Sequence, residues 1–238
     1  MSAPILTLTI DGLQVSGLAS ETILQVAREN GIIIPTLCFL EGLSAIGSCR
    51  LCMVELQGSP KLHPACITPI QEEMMVFTRS ERLLNYRRAI IGLLFSERNH
   101  VCAVCIANGH CELQELAREF DIDHIEFPYR HPALEVDASH HRFVLDHNRC
   151  VLCTRCVRVC GEIEGAHTWD MKNRSIHSLI VADLDTPWGA SFTCTGCGKC
   201  VHVCPTGALA EKGKSVAEVR DKRPSLPYLM ANRAEEQK

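Results

Sequence analysis

All fifteen cysteines of this chain fall into four groups. Cys38, Cys49, Cys52 and Cys66 are spaced C-x10-C-x2-C-x13-C. Cys102, Cys105 and Cys111 form C-x2-C-x5-C, with His100 just ahead and His110 inside the run. Cys150, Cys153, Cys156 and Cys160 form C-x2-C-x2-C-x3-C, and Cys194, Cys197, Cys200 and Cys204 repeat that spacing before Pro205. Thiolate is a soft donor that selects iron–sulfur clusters or zinc, and the repeated run is one that holds four-iron clusters. With one imidazole added, the thiolates make four sites of four donors. Four redox centres in 238 residues read as an electron relay.

The rival uses of cysteine fit less well. Disulfides need an oxidising compartment, and a secretory leader needs a basic start and an apolar run. Residues 1–20 instead alternate like strands, with Asp11 and Gly12 interrupting any apolar run. Zinc favours paired C-x2-C units and is the serious rival only at Cys102, Cys105 and Cys111. A redox dithiol needs a single C-x2-C. The expected compartment is reducing, the cytoplasm, and no stretch is long and apolar enough to span a membrane. Net charge is −4 and the isoelectric point about 6.3, so nothing suggests nucleic acid as a partner.

The elements that must position these donors follow from pattern. Residues 5–10 and 13–16 read as a hairpin around Asp11–Gly12, and Ser20 is expected to cap a short helix ending at Gly31. The loop from Cys38 to Cys52 contains Gly42 and Gly47, whose backbone N–H groups can point at sulfur. Residues 51–57 and 74–78 are further strands. A helix over 81–98 carries Leu83, Leu84, Ile91, Leu94 and Phe95 on an apolar stripe, with Arg82, Arg87 and Arg88 among solvated positions. A second helix, 111–120, has Cys111 in its first turn. Either His100 or His110 can complete that site, since neutral imidazole replaces thiolate on iron. The other nine histidines read as ordinary polar residues.

The expected class is α+β, in five parts. Residues 1–78 resemble a plant-type ferredoxin (β-grasp) module with a 2Fe–2S cluster, although the spacing departs from the plant pattern. Residues 79–121 form a small helical module for a 4Fe–4S cluster with one histidine and three cysteines. Residues 122–145 are an extended link, and 146–210 a bacterial two-cluster ferredoxin-like module built on a 44-residue internal repeat. A polar tail, 211–238, would lie over a partner or be partly disordered. In bacterial two-cluster ferredoxins the fourth cysteine of each run serves the other cluster. Cys150, Cys153, Cys156 and Cys204 are thereby assigned to one 4Fe–4S cluster, and Cys160, Cys194, Cys197 and Cys200 to the other.

No catalytic residue is assigned. Gly213–Lys214–Ser215 lacks the earlier glycine of a phosphate loop, no G-x-G-x-x-G lies between a strand and a helix, and Asn173–Arg174–Ser175 is a glycosylation sequon without meaning in a reducing compartment. No flavin or substrate site is visible.

The order of the four groups resembles the N-terminal layout of the large iron–sulfur subunit of respiratory complex I, of iron-only hydrogenases and of NAD-linked formate dehydrogenases. Only 34 residues follow Cys204, so the chain resembles the free-standing form, the diaphorase iron–sulfur subunit of the bidirectional NAD(P)-linked nickel–iron hydrogenase. The stretches 97–114 (ERNHVCAVCIANGHCELQ) and 147–170 (HNRCVLCTRCVRVCGEIEGAHTWD) carry the likeness. The resemblance favours His100 over His110, although the spacing is H-x-C here and usually H-x3-C in complex I.

What the resemblance implies is a subunit of an oxidoreductase. It would pass electrons between flavin- and NAD(P)-binding diaphorase subunits and the small and large subunits of a nickel–iron hydrogenase. The cluster of Cys160, Cys194, Cys197 and Cys200 is extra by comparison with complex I and would be a side branch, a port for soluble ferredoxin or flavodoxin. A formate dehydrogenase relay and a free multi-cluster carrier are the alternatives, and a zinc-bound scaffold is a more distant one.

Overall fold

The computed structural model describes residues 4–220. Residues 4–39 and 45–90 form one unit, and 40–44 with 91–220 form the other.

The first unit is a mixed sheet closed by one helix. Strands β1 (Ile5–Ile10) and β2 (Leu13–Leu18) pair antiparallel, Ile5 opposite Leu18 through Ile10 opposite Leu13. Asp11 and Gly12 take φ of 49° and 85°, the left-handed pair that a two-residue hairpin turn requires. β2 runs two residues past the expected end.

Helix α1 (Ile23–Glu29) is capped by Thr22, not Ser20. Thr22 Oγ1 accepts from the Gln25 N–H while Gln25 Oε1 accepts from the Thr22 N–H at 2.8 Å, a reciprocal box that Ser20 stands two residues too early to make. α1 buries Ile23, Leu24, Val26 and Ala27 against Leu8, Ile10, Val15, Val54 and Val76.

Strands β3 (Met53–Leu56), β4 (Leu62–Pro64) and β5 (Met75–Phe77) complete the sheet in the order β2-β1-β5-β3-β4, with β1 and β5 parallel. β4 has no sequence signature: three residues ending in proline show no alternation.

Helix α2 (Glu81–Glu97) corrects two expectations. Leu84 is 39% exposed, and Arg87 is 3% exposed. Residues four apart stack on one face, so Arg87 falls in the buried row between Leu83 and Ile91, while Leu84 points elsewhere. The Arg87 guanidinium donates to the carbonyls of Leu51 (3.2 Å), Met53 (2.9 Å) and Thr78 (2.9 Å). Arg82 and Arg88 are exposed as expected, Arg82 pairing with Glu55.

In the second unit, helix α3 (Glu112–Glu119) has Cys111 as its N-cap, one place before the first turn. The expected link 122–145 holds strand β6 (Val136–Asp137) and most of β7 (Phe143–Asp146), so β7 crosses the expected start of the last module. Next come helix α4 (Arg155–Arg158), a π-helical turn Val159–Glu164, strands β8 (Trp169–Lys172) and β9 (Leu179–Ala182), helix α5 (Lys199–His202), strand β10 (Leu209–Glu211) and helix α6 (Val216–Arg220).

β7 is the centre of the sheet β10-β7-β6, and β8–β9 form a separate hairpin. The core between them mixes Phe143, Leu145, Val159, Trp169, Ile180 and Trp188 with Cys150, Cys156, Cys160, Cys200 and Cys204. His140, expected to be an ordinary polar residue, is buried against Trp188, and its Nδ1 accepts from the N–H groups of Arg142 and Phe143. Residues 211–220 of the expected tail end β10 and form α6, while 221–238 lie outside the described residues. Among the described residues no helix is long and apolar enough to cross a membrane.

Candidate metal centres

The loop between α1 and β3, together with the end of β4, gathers the first set. Cys38 and Cys49 exchange backbone N–H to Sγ contacts, each at 3.4 Å, and Cys52 Sγ lies 3.4 Å from Cys66 Sγ. Backbone N–H groups of Gly47 and Leu51 are directed at the sulfurs of Cys66 and Cys49. The pairing with Cys38 and then burial push the Cys49 thiol up. The contact with Cys66 and then burial push the Cys52 thiol up in the same way. Four half-buried or buried sulfurs held this close resist ionising together unless a cation sits among them. That donor set, ringed by backbone N–H groups, fits an iron–sulfur cluster.

His100, Cys102, Cys105 and Cys111 line one cavity. The Leu94 carbonyl accepts a hydrogen bond from the His100 ring, and Nε2 is buried with no hydrogen-bond partner. Burial first, and then Arg149, hold this imidazole down at about 4, in the neutral form that binds metal. Burial raises the Cys111 thiol to about 11. His110 lies elsewhere, on a cavity shared with His202, Glu211 and Lys214.

Cys150, Cys153, Cys156 and Cys204 line a second cavity of about 350 Å³. Burial pushes the thiols of Cys150 and Cys153 up to about 11 and about 12, and Cys156 well above its ordinary value. Cys160, Cys194, Cys197 and Cys200 line a third, of about 300 Å³. The last cysteine of each run thus lines the cavity of the other run: α4 and the π-helical turn carry Cys156 and Cys160 to different cavities, and Cys200 in α5 and the following Cys204 are likewise divided. Cys197 is exposed, whereas Cys150, Cys153 and Cys156 are buried. The donor types at all three cavities fit iron–sulfur clusters.

Sequence patterns missed the residues around these donors. Trp188 Nε1 donates to Cys194 Sγ at 3.3 Å, and the Thr168 N–H points to Cys160 Sγ at 3.4 Å. Thr206 lines both the His100 and the Cys204 cavities and donates to the Arg149 carbonyl at 2.6 Å. Glu112 and Arg155, each next to a cysteine, pair across the unit at 2.7 and 2.8 Å. Adjacency to a ligand position was the only available signal for these two.

Fold and sites together define a multi-domain iron–sulfur protein. Three family models match in order: the 2Fe-2S iron-sulfur cluster binding domain over residues 3–81, the NADH-ubiquinone oxidoreductase-G iron-sulfur binding region over 87–126, and the NADH-quinone oxidoreductase subunit 3 ferredoxin-like domain over 142–210. The NAD-reducing hydrogenase HoxS subunit gamma of Cupriavidus necator is 32% identical over 206 residues, covering 86% of each chain. A chain in the crystal structure of NAD+-reducing NiFe-hydrogenase in the H2-reduced state is 33% identical, with a TM-score of 0.83 and 88% of each chain covered.

The NADP-reducing hydrogenase subunit HndD of Solidesulfovibrio fructosivorans is 40% identical over 87% of this chain. The match takes in only 36% of HndD, and 24% of the NADPH-Fe(3+) oxidoreductase subunit alpha of Geobacter sulfurreducens, which is 36% identical. The chain belongs to the family of the gamma subunit of NAD-reducing hydrogenase, and longer hydrogenase and NADH-oxidoreductase subunits match it over part of their length.

Proposed function

We propose that this chain relays electrons between a flavin-containing, NAD(P)H-oxidising diaphorase subunit and a nickel–iron hydrogenase module in the cytoplasm. The observation that carries this reading is the pairing of four donor sets with a likeness to the HoxS gamma subunit that covers 86% of both chains. One 2Fe–2S cluster would be held by Cys38, Cys49, Cys52 and Cys66. Three 4Fe–4S clusters would be held by His100, Cys102, Cys105 and Cys111; by Cys150, Cys153, Cys156 and Cys204; and by Cys160, Cys194, Cys197 and Cys200. When bound, such clusters supply reversible one-electron chemistry.

The protein's part is to hold thiolates and one neutral imidazole in place, aim N–H donors at sulfur and exclude water. The modules would be an N-terminal β-grasp ferredoxin, a helical one-histidine module and a two-cluster ferredoxin-like module. No catalytic residue is assigned to the chain. Exposure of Cys197 supports the third cavity as a port to a soluble carrier such as ferredoxin or flavodoxin. Unchanged ferredoxin-linked activity in a Cys197→Ser variant counts against that port.

Anaerobic purification with native partners tests the reading as a whole. About 14 irons and as many sulfides per chain are expected, before the partners add theirs. Nickel in the same preparation supports the hydrogenase assignment, molybdenum or tungsten points to a formate dehydrogenase relay, and absence of stable partners points to a free carrier. Zinc without sulfide rejects the relay.

A further inference from the structure

Two of the proposed redox centres share one ion pair. Glu112 follows Cys111 directly in α3, and Arg155 stands between Cys153 and Cys156 at the start of α4. Both terminal nitrogens of Arg155 donate to the Glu112 carboxylate, at 2.7 and 2.8 Å, in the planar two-point geometry that only a guanidinium provides. The Arg155 side chain is 4% exposed and that of Glu112 30%. The Glu112 N–H also donates to the carbonyl of Pro205, the residue after Cys204, at 2.9 Å. Glu112 is thereby tied to the peptide beside Cys204 and to the side chain beside Cys153, while its own backbone continues from Cys111.

The charge is placed unequally. The guanidinium is buried, on a residue that lies between Cys153 and Cys156, two of the donors lining the second cavity. A second buried cation, Arg158, reaches the same set and donates to the Cys153 carbonyl at 3.0 Å. Around the third cavity the buried cation is Lys199, which Glu164 meets at 2.6 Å with only 15% exposure of the carboxylate. A buried charge acts through a lower effective dielectric than one in water, so a cation beside a cluster-binding set favours the electron-rich state.

On the relay reading above, we propose that Arg155 raises the reduction potential of the centre at Cys150, Cys153, Cys156 and Cys204, and that the Glu112 carboxylate moderates its effect. Arg155 is a positioning and tuning residue; it binds no cluster. The pair gives adjacent, chemically similar centres a difference in potential, which sets the direction in which an electron between them is favoured.

The test is an EPR-monitored redox titration of the anaerobically purified complex carrying Arg155→Met, Arg155→Lys or Glu112→Gln, with the relevant signal identified by its loss in Cys153→Ser. Arg155→Met is expected to shift that midpoint downward, Arg155→Lys to leave it near the wild-type value, and Glu112→Gln to shift it upward. Equal shifts in Arg155→Met and Arg155→Lys overturn the proposal, because packing rather than charge is then responsible. A downward or absent shift in Glu112→Gln also overturns it. If Arg155→Met loses the centre outright, the sign in Glu112→Gln decides. Iron and sulfide on the same samples separate the two levels: a wild-type chain without them removes the relay reading, and a full complement with unmoved potentials removes this inference alone.

Discussion

Gly207 lies directly against Cys105: a Cβ placed on Gly207 would stand 2.4 Å from Cys105 Sγ and 3.3 Å from the Ala107 Cβ. That separation is far inside van der Waals contact, and the atom displaced belongs to a donor of the His100 set. Close approach of backbone to a bound group is a standard use of glycine. Gly207→Ala is therefore expected to remove about four irons and one EPR signal while sparing the centres at Cys38 and Cys160. Retention of the full iron complement with unchanged spectra would show that Cys105 is not a ligand in the place assigned to it.

The choice between the two histidines has a sharper test. His100 shares its cavity with Cys102, Cys105 and Cys111, whereas His110 lines another. His110→Ala should keep all four signals, and His100→Ala should lose one. His100→Cys should restore that signal at a lower potential, because an added thiolate charge disfavours the reduced state. The reverse outcome at the two positions would transfer the assignment to His110.

The groups of cysteines that the structure brings together were legible in the sequence because they are local: three of the four residues in most groups lie within about a dozen positions, and their spacing is the motif. The family was legible for the same reason. What the sequence hid is relational. Arg87 and Leu84 exchange roles because burial on α2 is decided by carbonyls at Leu51, Met53 and Thr78, none of them adjacent in sequence. Ser20 and Thr22 are equivalent caps by composition, and only the reach of Gln25 separates them. Strand β7 looked like a link because its partner β10 is more than sixty residues away.

Arg87 also carries a stability prediction. Its carbonyl partners include those of Leu51 and Met53, the residues on either side of Cys52. Truncation leaves three buried acceptors to find new donors, each worth about 1–3 kcal/mol if left unpaired. Arg87→Ala should destabilise the first unit by roughly 3–5 kcal/mol and loosen Cys52, lowering 2Fe–2S occupancy. Arg82→Ala, at an exposed pair with Glu55, should cost less than about 1 kcal/mol. Chemical denaturation of the two variants, followed beside the visible absorbance of the cluster, checks both values; equal stabilities would discard the argument.

Trp188 is a probe of how the protein tunes one centre without altering its ligands. The indole N–H reaches Cys194 Sγ at 3.3 Å from a fully buried ring packed against Phe143 and Trp169. Trp188→Phe keeps most of the ring volume and deletes the donor. If the bond favours the more negative state by about 1 kcal/mol, its loss lowers a one-electron midpoint by roughly 40 mV. The shift should be confined to the centre at Cys160, Cys194, Cys197 and Cys200. A uniform shift in all centres, or an upward one, would assign Trp188 a packing role only.

Removal of iron should separate the two units. The first has a core mostly of aliphatic side chains, among them Leu8, Ile10, Ile23, Val26, Val54 and Val76, with Cys52 and Cys66 at its edge toward the first donor set. In the second, Cys150, Cys156, Cys160, Cys200 and Cys204 are themselves core residues that line the second and third cavities. Metal binding in such a unit is coupled to folding. Chelation under anaerobic conditions is therefore expected to expose the chain beyond residue 100 to protease while a fragment of the first unit persists. Reassembly should respond to pH with a definite sign. Exposed thiols titrate at about 8.5, so at neutral pH iron must displace their protons, and reconstitution should strengthen as pH rises from 6 to 8. A chelated chain that resists protease throughout would mean that the second unit folds without its metal, and reconstitution that weakens with rising pH would mean that thiolates are not its ligands.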